Sequence, residues 1–401
     1  MTWLDLPGGT GYGLDNLPLG VFSDASRRRR TGVAVGDRVL DLAAVTGDGV
    51  HTTGSLNAFL ARGPRAWADL RAELTDRLTG EAHRATVEPH LLARDAVRLH
   101  LPVEVADYVD FYSSRHHAEN VGRIFRPGSP PLTPNWAHLP IGYHGRAGTV
   151  AVSGTPVVRP NGQRRAPGDD APTFGPTQRL DIEAEVGFVV GVGSPPGTPV
   201  PLGGFADHVF GVCLVNDWSA RDVQAWEYVP LGPFLGKSFL TSVSPWVVPL
   251  AALEAARVAP PARDVPLLPY LDDDGADPWG LDIAIEVRLG GELVSRPPFA
   301  STYWTPAQQL AHLTVNGASL RTGDLYASGT VSGPHRDQRG SLLELSWNGE
   351  DPLVLADGST RTFLEDGDEV RITATAPGTG GGRICLGEVT GRVEPARPPG
   401  S

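Results

Sequence analysis

Cysteine is nearly absent: Cys213 and Cys385 are the only two in 401 residues. That excludes a disulfide framework and points to a reducing compartment. Positive charge is also in short supply. Against 46 Asp and Glu stand 34 Lys and Arg, a net charge of −12, which argues against a nucleic-acid partner. The single basic run, Arg27 to Arg30, follows Ser23-Asp24-Ala25-Ser26 and reads as a solvated turn between strands. No apolar run approaches the roughly 20 residues of a membrane span. The segment Met1–Gly8 has neither a basic nor an apolar targeting region. A soluble, cytoplasmic protein without membrane partners is therefore expected. No Cys/His spacing suggests zinc, and no Gly-x-Ser-x-Gly elbow is present. The stretch Pro230–Ser238 imitates a phosphate loop, but Gly232 stands one residue too close to Gly236-Lys237-Ser238 and no helix pattern follows. Nucleotide binding is excluded on that basis.

What is present is globular: 40% hydrophobic and 20% charged residues, with a length that suggests roughly two to three domains. Glycine (49) and proline (37) punctuate short alternating segments, the mark of a β-rich fold with many turns. Residues Gly32–Leu42 read as a hairpin turning at Gly36-Asp37. From Ser55 to Thr79, Leu56, Phe59, Leu60, Trp67, Leu70, Leu74 and Leu78 recur at helical spacing, interrupted at Gly63-Pro64. Val97–Leu101 resumes as a strand, and Pro306–Leu313 is a further helix. Pro160–Pro176, rich in Pro, Gly, Arg and Asp, reads as a long surface loop. Gly378–Gly382 reads as a turn, and a frayed tail begins at Pro395. A boundary near residue 100 divides the chain into 1–100 and 101–401.

Four carboxylates stand in apolar surroundings: Asp110, Glu183, Glu185 and Asp217. In Leu180–Val190 the alternation places Ile182, Ala184, Val186 and Phe188 on one strand face and both glutamates on the other. Taken alone, this is a solvated strand face with two surface acids. The alternative is a hard divalent cation, which offsets the repulsion of like charges and takes oxygen ligands. Asp107–Ala118 gathers a carboxylate, a phenol, hydroxyls, Arg115, His116 and His117. A histidine there is either a satisfied structural group or a general base. In Ser219–Tyr228, helical spacing would align Arg221, Gln224 and Tyr228. That is an ordinary polar face, or a pair of donors aimed at one oxyanion. Lys237, between glycine and apolar residues, reads as a buried cation.

Taken together, the segments resemble the fumarylacetoacetate hydrolase family, in its fumarylacetoacetase branch. The resemblance is carried by Asp110-Phe-Tyr-Ser-Ser-Arg115, Asn135-Trp136, His138 through Arg146, and Val152-Ser-Gly-Thr-Pro156. It continues in Leu180–Glu185, the long block Asn216–Phe239, Ser244-Pro-Trp246, Ala327-Ser-Gly-Thr330 and Leu343-Glu-Leu-Ser-Trp347. It implies a mainly β (α+β) chain with an N-terminal SH3-like barrel, a C-terminal mixed β-roll catalytic domain and a homodimer. It implies a metal-dependent hydrolase that cleaves a carbon–carbon bond of 4-fumarylacetoacetate, giving fumarate and acetoacetate at the end of tyrosine and phenylalanine catabolism. It further implies roles for individual residues. Asp110, Glu183, Glu185 and Asp217 would hold Mg²⁺ or Ca²⁺, with a second cation near Asp217, Lys237 and Thr241. His117 would be the general base, oriented by Glu344, with His116 a bystander. Arg221, Gln224 and Lys237 would form the oxyanion hole. Tyr112, Arg126, Tyr143, Tyr228 and Thr330 would contact the small diketo-acid substrate. Hydrolysis of acylpyruvates or other diketo acids is the alternative activity within the superfamily. A non-enzymatic paralogue is disfavoured because no site residue is lost.

Overall fold

Alternation of apolar residues builds this molecule around one long twisted sheet. The computed structural model describes residues 2–6, 9–166, 168–273 and 279–398. Among them, 13 strands join into a sheet whose centre is Val209–Asp217, Ala184–Val190, Leu325–Ala327 and Tyr108–Phe111, in that spatial order. Val209–Asp217 and Ala184–Val190 pair antiparallel, with Ala184 opposite Asn216. Leu325–Ala327 and Tyr108–Phe111 pair parallel, with Ala327 opposite Asp110.

Each central strand is buried on both faces, and the two faces meet different cores. Val186, Phe188, Val212 and Leu214 belong to a core shared with a five-stranded sheet through Ile285, Ile372 and Ile384. Val189, Cys213, Val215 and Ala327 belong to a second core, filled from the N-terminal side by Leu40, Leu60, Leu70 and Leu74. The chain is mainly β, as expected, with an N-terminal β unit and a C-terminal mixed-sheet unit. Hydrogen bonding continues between them, because Leu19–Ser23 pairs with Trp246–Pro249 through Leu19↔Val247.

The expected local elements form where the residues call for them. The Gly36-Asp37 hairpin joins Arg30–Val35 to Arg38–Asp41. The helical region divides into Asn57–Leu60 and Pro64–Thr79, with Pro64 in the first turn, where its missing N–H costs nothing. Pro306–Thr314 begins with a capping box between Thr305 and Gln308. Arg27 to Arg29 are exposed in the turn before Arg30–Val35. Beyond Pro395 the described residues have no regular structure, and 399–401 lie outside the described residues, as do Met1, Pro7 and Gly8. No helix among the described residues is long and apolar enough to cross a membrane.

Two expectations need correction. Pro160–Pro176 is not an open loop. Asn161–Arg164 and Thr173–Pro176 pair as a hairpin, which packs against the Arg221–Glu227 helix, and Trp226 Nε1 donates to Gln163 Oε1 at 3.3 Å. Apart from Thr173 and Phe174 its residues have poor strand propensity, so tertiary packing rather than pattern determines it. The alternating segment Leu180–Val190 is also not one strand. It breaks at Ile182-Glu183 into Leu180–Asp181 and Ala184–Val190, because Glu183 N–H turns to the side chain of Asn216.

Gly329 joins Ser328 to Thr330 beyond the Leu325–Ala327 strand, at φ +74°, and a Cβ there would meet the carbonyl oxygen of Phe111 at 2.0 Å. Gly358 also has positive φ but open space around it. Gly358→Ala should cost about 1 kcal/mol of backbone strain. Gly329→Ala adds an immovable backbone collision and should cost roughly 3 kcal/mol or more, read as the difference in thermal unfolding between the two variants. Equal losses would show that the Gly329 neighbourhood can yield.

Candidate active site and metal centre

The carboxylates converge through sheet geometry. Asp217 follows Val215 and Cys213 in alternation, Glu185 precedes Val189, and Asp110 follows Tyr108, so all three point to the same face of the sheet. The strand between Glu185 and Asp110 presents only Ala327 there, a methyl group that leaves room. Glu183 enters from the break before its strand. One oxygen from each of Asp110, Glu183, Glu185 and Asp217 lies within 4.8 Å of the others, and all four residues are buried. The solvated-face reading is thereby overturned: Glu185 is 0% exposed.

Burying four negative charges together needs compensation. Part of it is present. Lys237 Nζ donates to Glu183 Oε2 at 2.6 Å and to Asp217 Oδ2 at 2.9 Å, and Arg221 Nη1 meets Glu183 Oε1 at 2.7 Å. Burial by itself would raise the Glu183 carboxyl, but Lys237 and Arg221 outweigh it and hold the group below the ordinary carboxylate range. Asp110 and Glu185 have no cation in direct contact, and the more distant pull of Lys237 does not suffice. Burial, then the neighbouring carboxylates, push both well above the ordinary range. Asp110 Oδ1 and both oxygens of Glu185 find no hydrogen-bond partner among the described residues. Three orphaned carboxylate oxygens in an all-oxygen donor set fit a hard divalent cation.

Beside this cluster lies a cavity of about 380 Å³. His117, Arg221, Gln224, Lys237 and all five expected substrate contacts (Tyr112, Arg126, Tyr143, Tyr228 and Thr330) line it together with Asp110 and Glu183. Tyr228 sits at the rim, 40% exposed. Asp217 and Thr241 line a smaller neighbouring cavity of about 150 Å³ with Lys237 and Tyr143. Thr241 Oγ1 donates to Asp217 Oδ1 at 2.7 Å, and the Tyr143 hydroxyl to Asp217 Oδ2 at 2.9 Å. Burial keeps the Tyr143 and Tyr112 phenols protonated, and therefore donors.

The two adjacent histidines separate because the backbone here is the helix Arg115–Phe125, capped by Ser114, rather than an extended or turn segment. His117 is buried and faces the cavity; His116 is half-buried outside it. His117 Nδ1 donates to Glu344 Oε2 at 2.7 Å. Glu344, wholly buried, also accepts from Asn120, Ser332 and Ser341. Burial opposes its charge, but His117 and these donors together keep it ionised. The Nε2 of His117 is thus left as the proton acceptor.

Arg221 begins the Arg221–Glu227 helix and is held on two sides. Its Nε donates to Asp181 Oδ2 at 2.8 Å, and its Nη1 donates to Gln224 Oε1 at 3.2 Å besides meeting Glu183. The amide nitrogen of Gln224 stays available to donate. Asp181, Asn120, Ser332 and Ser341 were not foreseen. Asp181 carried a visible signal, since it precedes Glu183 and Glu185 at the same two-residue interval. Ser341 also carried one, since Ser341-Leu-Leu-Glu344 has the spacing of a helix-capping pair, whereas Asn120 and Ser332 reach Glu344 only through the fold.

Comparison with known proteins accounts for the whole chain. The family model described as "Fumarylacetoacetase N-terminal" matches residues 15–102, and "Fumarylacetoacetate (FAA) hydrolase C-terminal" matches residues 107–394. The fumarylacetoacetase of Homo sapiens is 46% identical, covering 99% of each chain. That of Arabidopsis thaliana is 42% identical, again covering 99% of each. Among solved structures, a fumarylacetoacetate hydrolase from the psychrophile Exiguobacterium antarcticum shares the fold, with a TM-score of 0.55 at 19% identity over 95% of this chain and 100% of that one. Two family models spanning nearly all of the sequence, and relatives of that identity at full length, mean that the chain belongs to the fumarylacetoacetase family.

Proposed function

We propose that this chain hydrolyses 4-fumarylacetoacetate to fumarate and acetoacetate. One observation supports the reading: His117, which bonds Glu344, the side chains of Arg221, Gln224 and Lys237, and two members of the buried carboxylate cluster, Asp110 and Glu183, line one cavity. The names of its full-length relatives agree.

The chemistry follows from the residues. The substrate is a β-diketone with a carboxylate at each end, and breaking its carbon–carbon bond expels a carbanion. Tyr112, Arg126, Tyr143, Tyr228 and Thr330 bind and orient it. His117 Nε2 takes a proton from water while Glu344 steadies the imidazolium that forms. The hydroxide oxygen bonds to the carbonyl carbon, and the negative charge that moves onto the carbonyl oxygen meets Arg221, Gln224 and Lys237. Collapse breaks the carbon–carbon bond, leaving its electron pair on the acetoacetate fragment, which is then protonated. A divalent cation on Asp110, Glu183, Glu185 and Asp217 would supply Lewis-acid stabilisation of negative charge on the diketone oxygens. We assign Mg²⁺ or Ca²⁺ to it, and a second cation to the Asp217, Lys237 and Thr241 side. A cytoplasmic homodimer belongs to the same reading.

Three expected outcomes test this. Exhaustive chelation should abolish turnover and lower the melting temperature. Without cation, stability should also fall as pH rises above the ordinary carboxylate range. There, Asp110 and Glu185 bind protons more tightly folded than unfolded, and deprotonation costs the folded state. Added Ca²⁺ or Mg²⁺ should flatten that slope; full activity in metal-free protein would refute the assignment. Lys237→Met should lower kcat about a hundredfold or more with a smaller change in KM. A normal kcat with raised KM would move Lys237 to ground-state binding. Finally, His117→Ala and Glu344→Gln should each remove most activity, the double variant should be little worse than His117→Ala alone, and His116→Ala should stay active. Losses that multiply would mean the two do not act as a dyad.

A further inference from the structure

An arginine serves an oxyanion only if its fork is aimed. The guanidinium is planar, so fixing two of its nitrogens fixes the direction of the third. In Arg221, Nε is taken by Asp181, Nη1 by Glu183 and Gln224, and Nη2 has no partner among the described residues although it is buried. Arg221 lines the cavity. Asp181 is itself wholly buried and saturated: Oδ1 accepts from Ile182 N–H and Leu342 N–H, each at 2.7 Å, and Oδ2 from Arg221 Nε and, at 3.1 Å, from Leu343 N–H. Leu342 and Leu343 open the short Leu342–Leu345 helix that carries Glu344. The Leu180–Asp181 strand also pairs with Ser219–Ala220, and Arg221 N–H donates to Arg179 O, so both ends of the Asp181–Arg221 bond are registered to one another.

We infer that Asp181 is a positioning residue for the reaction. It locks the Arg221 fork so that the one uncommitted nitrogen serves the oxyanion, and from the same carboxylate it anchors the turn that holds Glu344 against His117. This role rests on the oxyanion function given to Arg221 in the proposed reaction. Asp181 lines neither cavity of the site and acts only through these neighbours.

Asp181→Asn separates the two halves of the carboxylate. The remaining oxygen can keep Ile182 and Leu342, whereas the amide nitrogen opposes the donors Arg221 Nε and Leu343 N–H. The variant should lower kcat about tenfold to a hundredfold with KM changed less than about threefold. Combined with Arg221→Met, it should add little to the loss caused by Arg221→Met alone. Ile372→Ala, a cavity in the distant five-stranded sheet, matches the loss of melting temperature and should leave kcat unchanged. A kcat near wild type in folded Asp181→Asn, or losses that multiply in the double variant, would overturn the role. If Asp181→Asn does not fold, the wild type still decides. The Arg221 Nε–H signal, assigned by its absence in Arg221→Lys, should be strongly protected from hydrogen exchange, and exchange at the rate of an exposed arginine would refute the lock. A wild type that does not cleave fumarylacetoacetate would refute the proposed reaction instead and leave this exchange measurement to judge Asp181.

Discussion

Electrostatic repulsion among buried carboxylates is the constraint around which this molecule is arranged. Four carboxylates share a space in which one oxygen of each lies within 4.8 Å of one from every other. In water such a group would spread apart; here the strands do not allow it. The protein answers unequally. Glu183 touches two cations, Lys237 (shared with Asp217) and Arg221 (shared with Asp181), while Asp110 and Glu185 are left with unsatisfied oxygens. That inequality gives the site its character. Arg221 and Lys237 line the cavity beside Glu183, where the proposed reaction develops negative charge, and the unsatisfied oxygens of Asp110 and Glu185 fit a metal ion. In the proposed reaction Lys237 and Arg221 therefore carry two duties: neutralising the cradle and receiving the substrate's charge.

Rigidity around the reactive groups follows the same logic. Glu344 accepts four hydrogen bonds from three parts of the chain, and Asp181 accepts four more. Neither side chain has freedom to reorient. A saturated buried carboxylate is costly to build, but it supplies preorganisation, because the imidazole and guanidinium it holds need not be ordered when substrate arrives. The hairpin Asn161–Arg164 and Thr173–Pro176 adds a brace behind the helix that bears Arg221 and Gln224.

Much of this was legible in the sequence, for identifiable reasons. The period-two pattern at Ile182, Ala184, Val186 and Phe188 gave the buried face, and the Gly63-Pro64 break divided the first helices where it should. The family resemblance singled out residues of which most line one cavity, with Asp217 and Thr241 on the smaller cavity beside it. Local pattern could not decide burial. Glu183 and Glu185 read as solvated acids until strands from three distant segments closed over them. It could not see the Asn161–Pro176 hairpin, whose Asn, Gly, Gln and Pro residues lack strand character and are held by what they touch. Nor could it supply Asn120 and Ser332, whose meeting at Glu344 is a product of topology, unlike that of Ser341, which caps the same short helix.

The ladder between Leu19 and Val247 has a consequence for how the chain comes off the ribosome. The Leu19–Ser23 strand finds Arg30–Val35 at once, and Arg98–His100 soon after, along Val21 to Ser23. Its stretch at Leu19 and Gly20 must wait for Trp246 and Val247. At translation rates of roughly 5–20 residues per second, the wait is about ten seconds or more. For that interval the N-terminal unit carries an unpaired strand edge, the surface most open to joining a neighbouring nascent chain. Growth conditions that slow elongation or crowd polysomes should therefore bear on the yield of this protein before they bear on its finished stability.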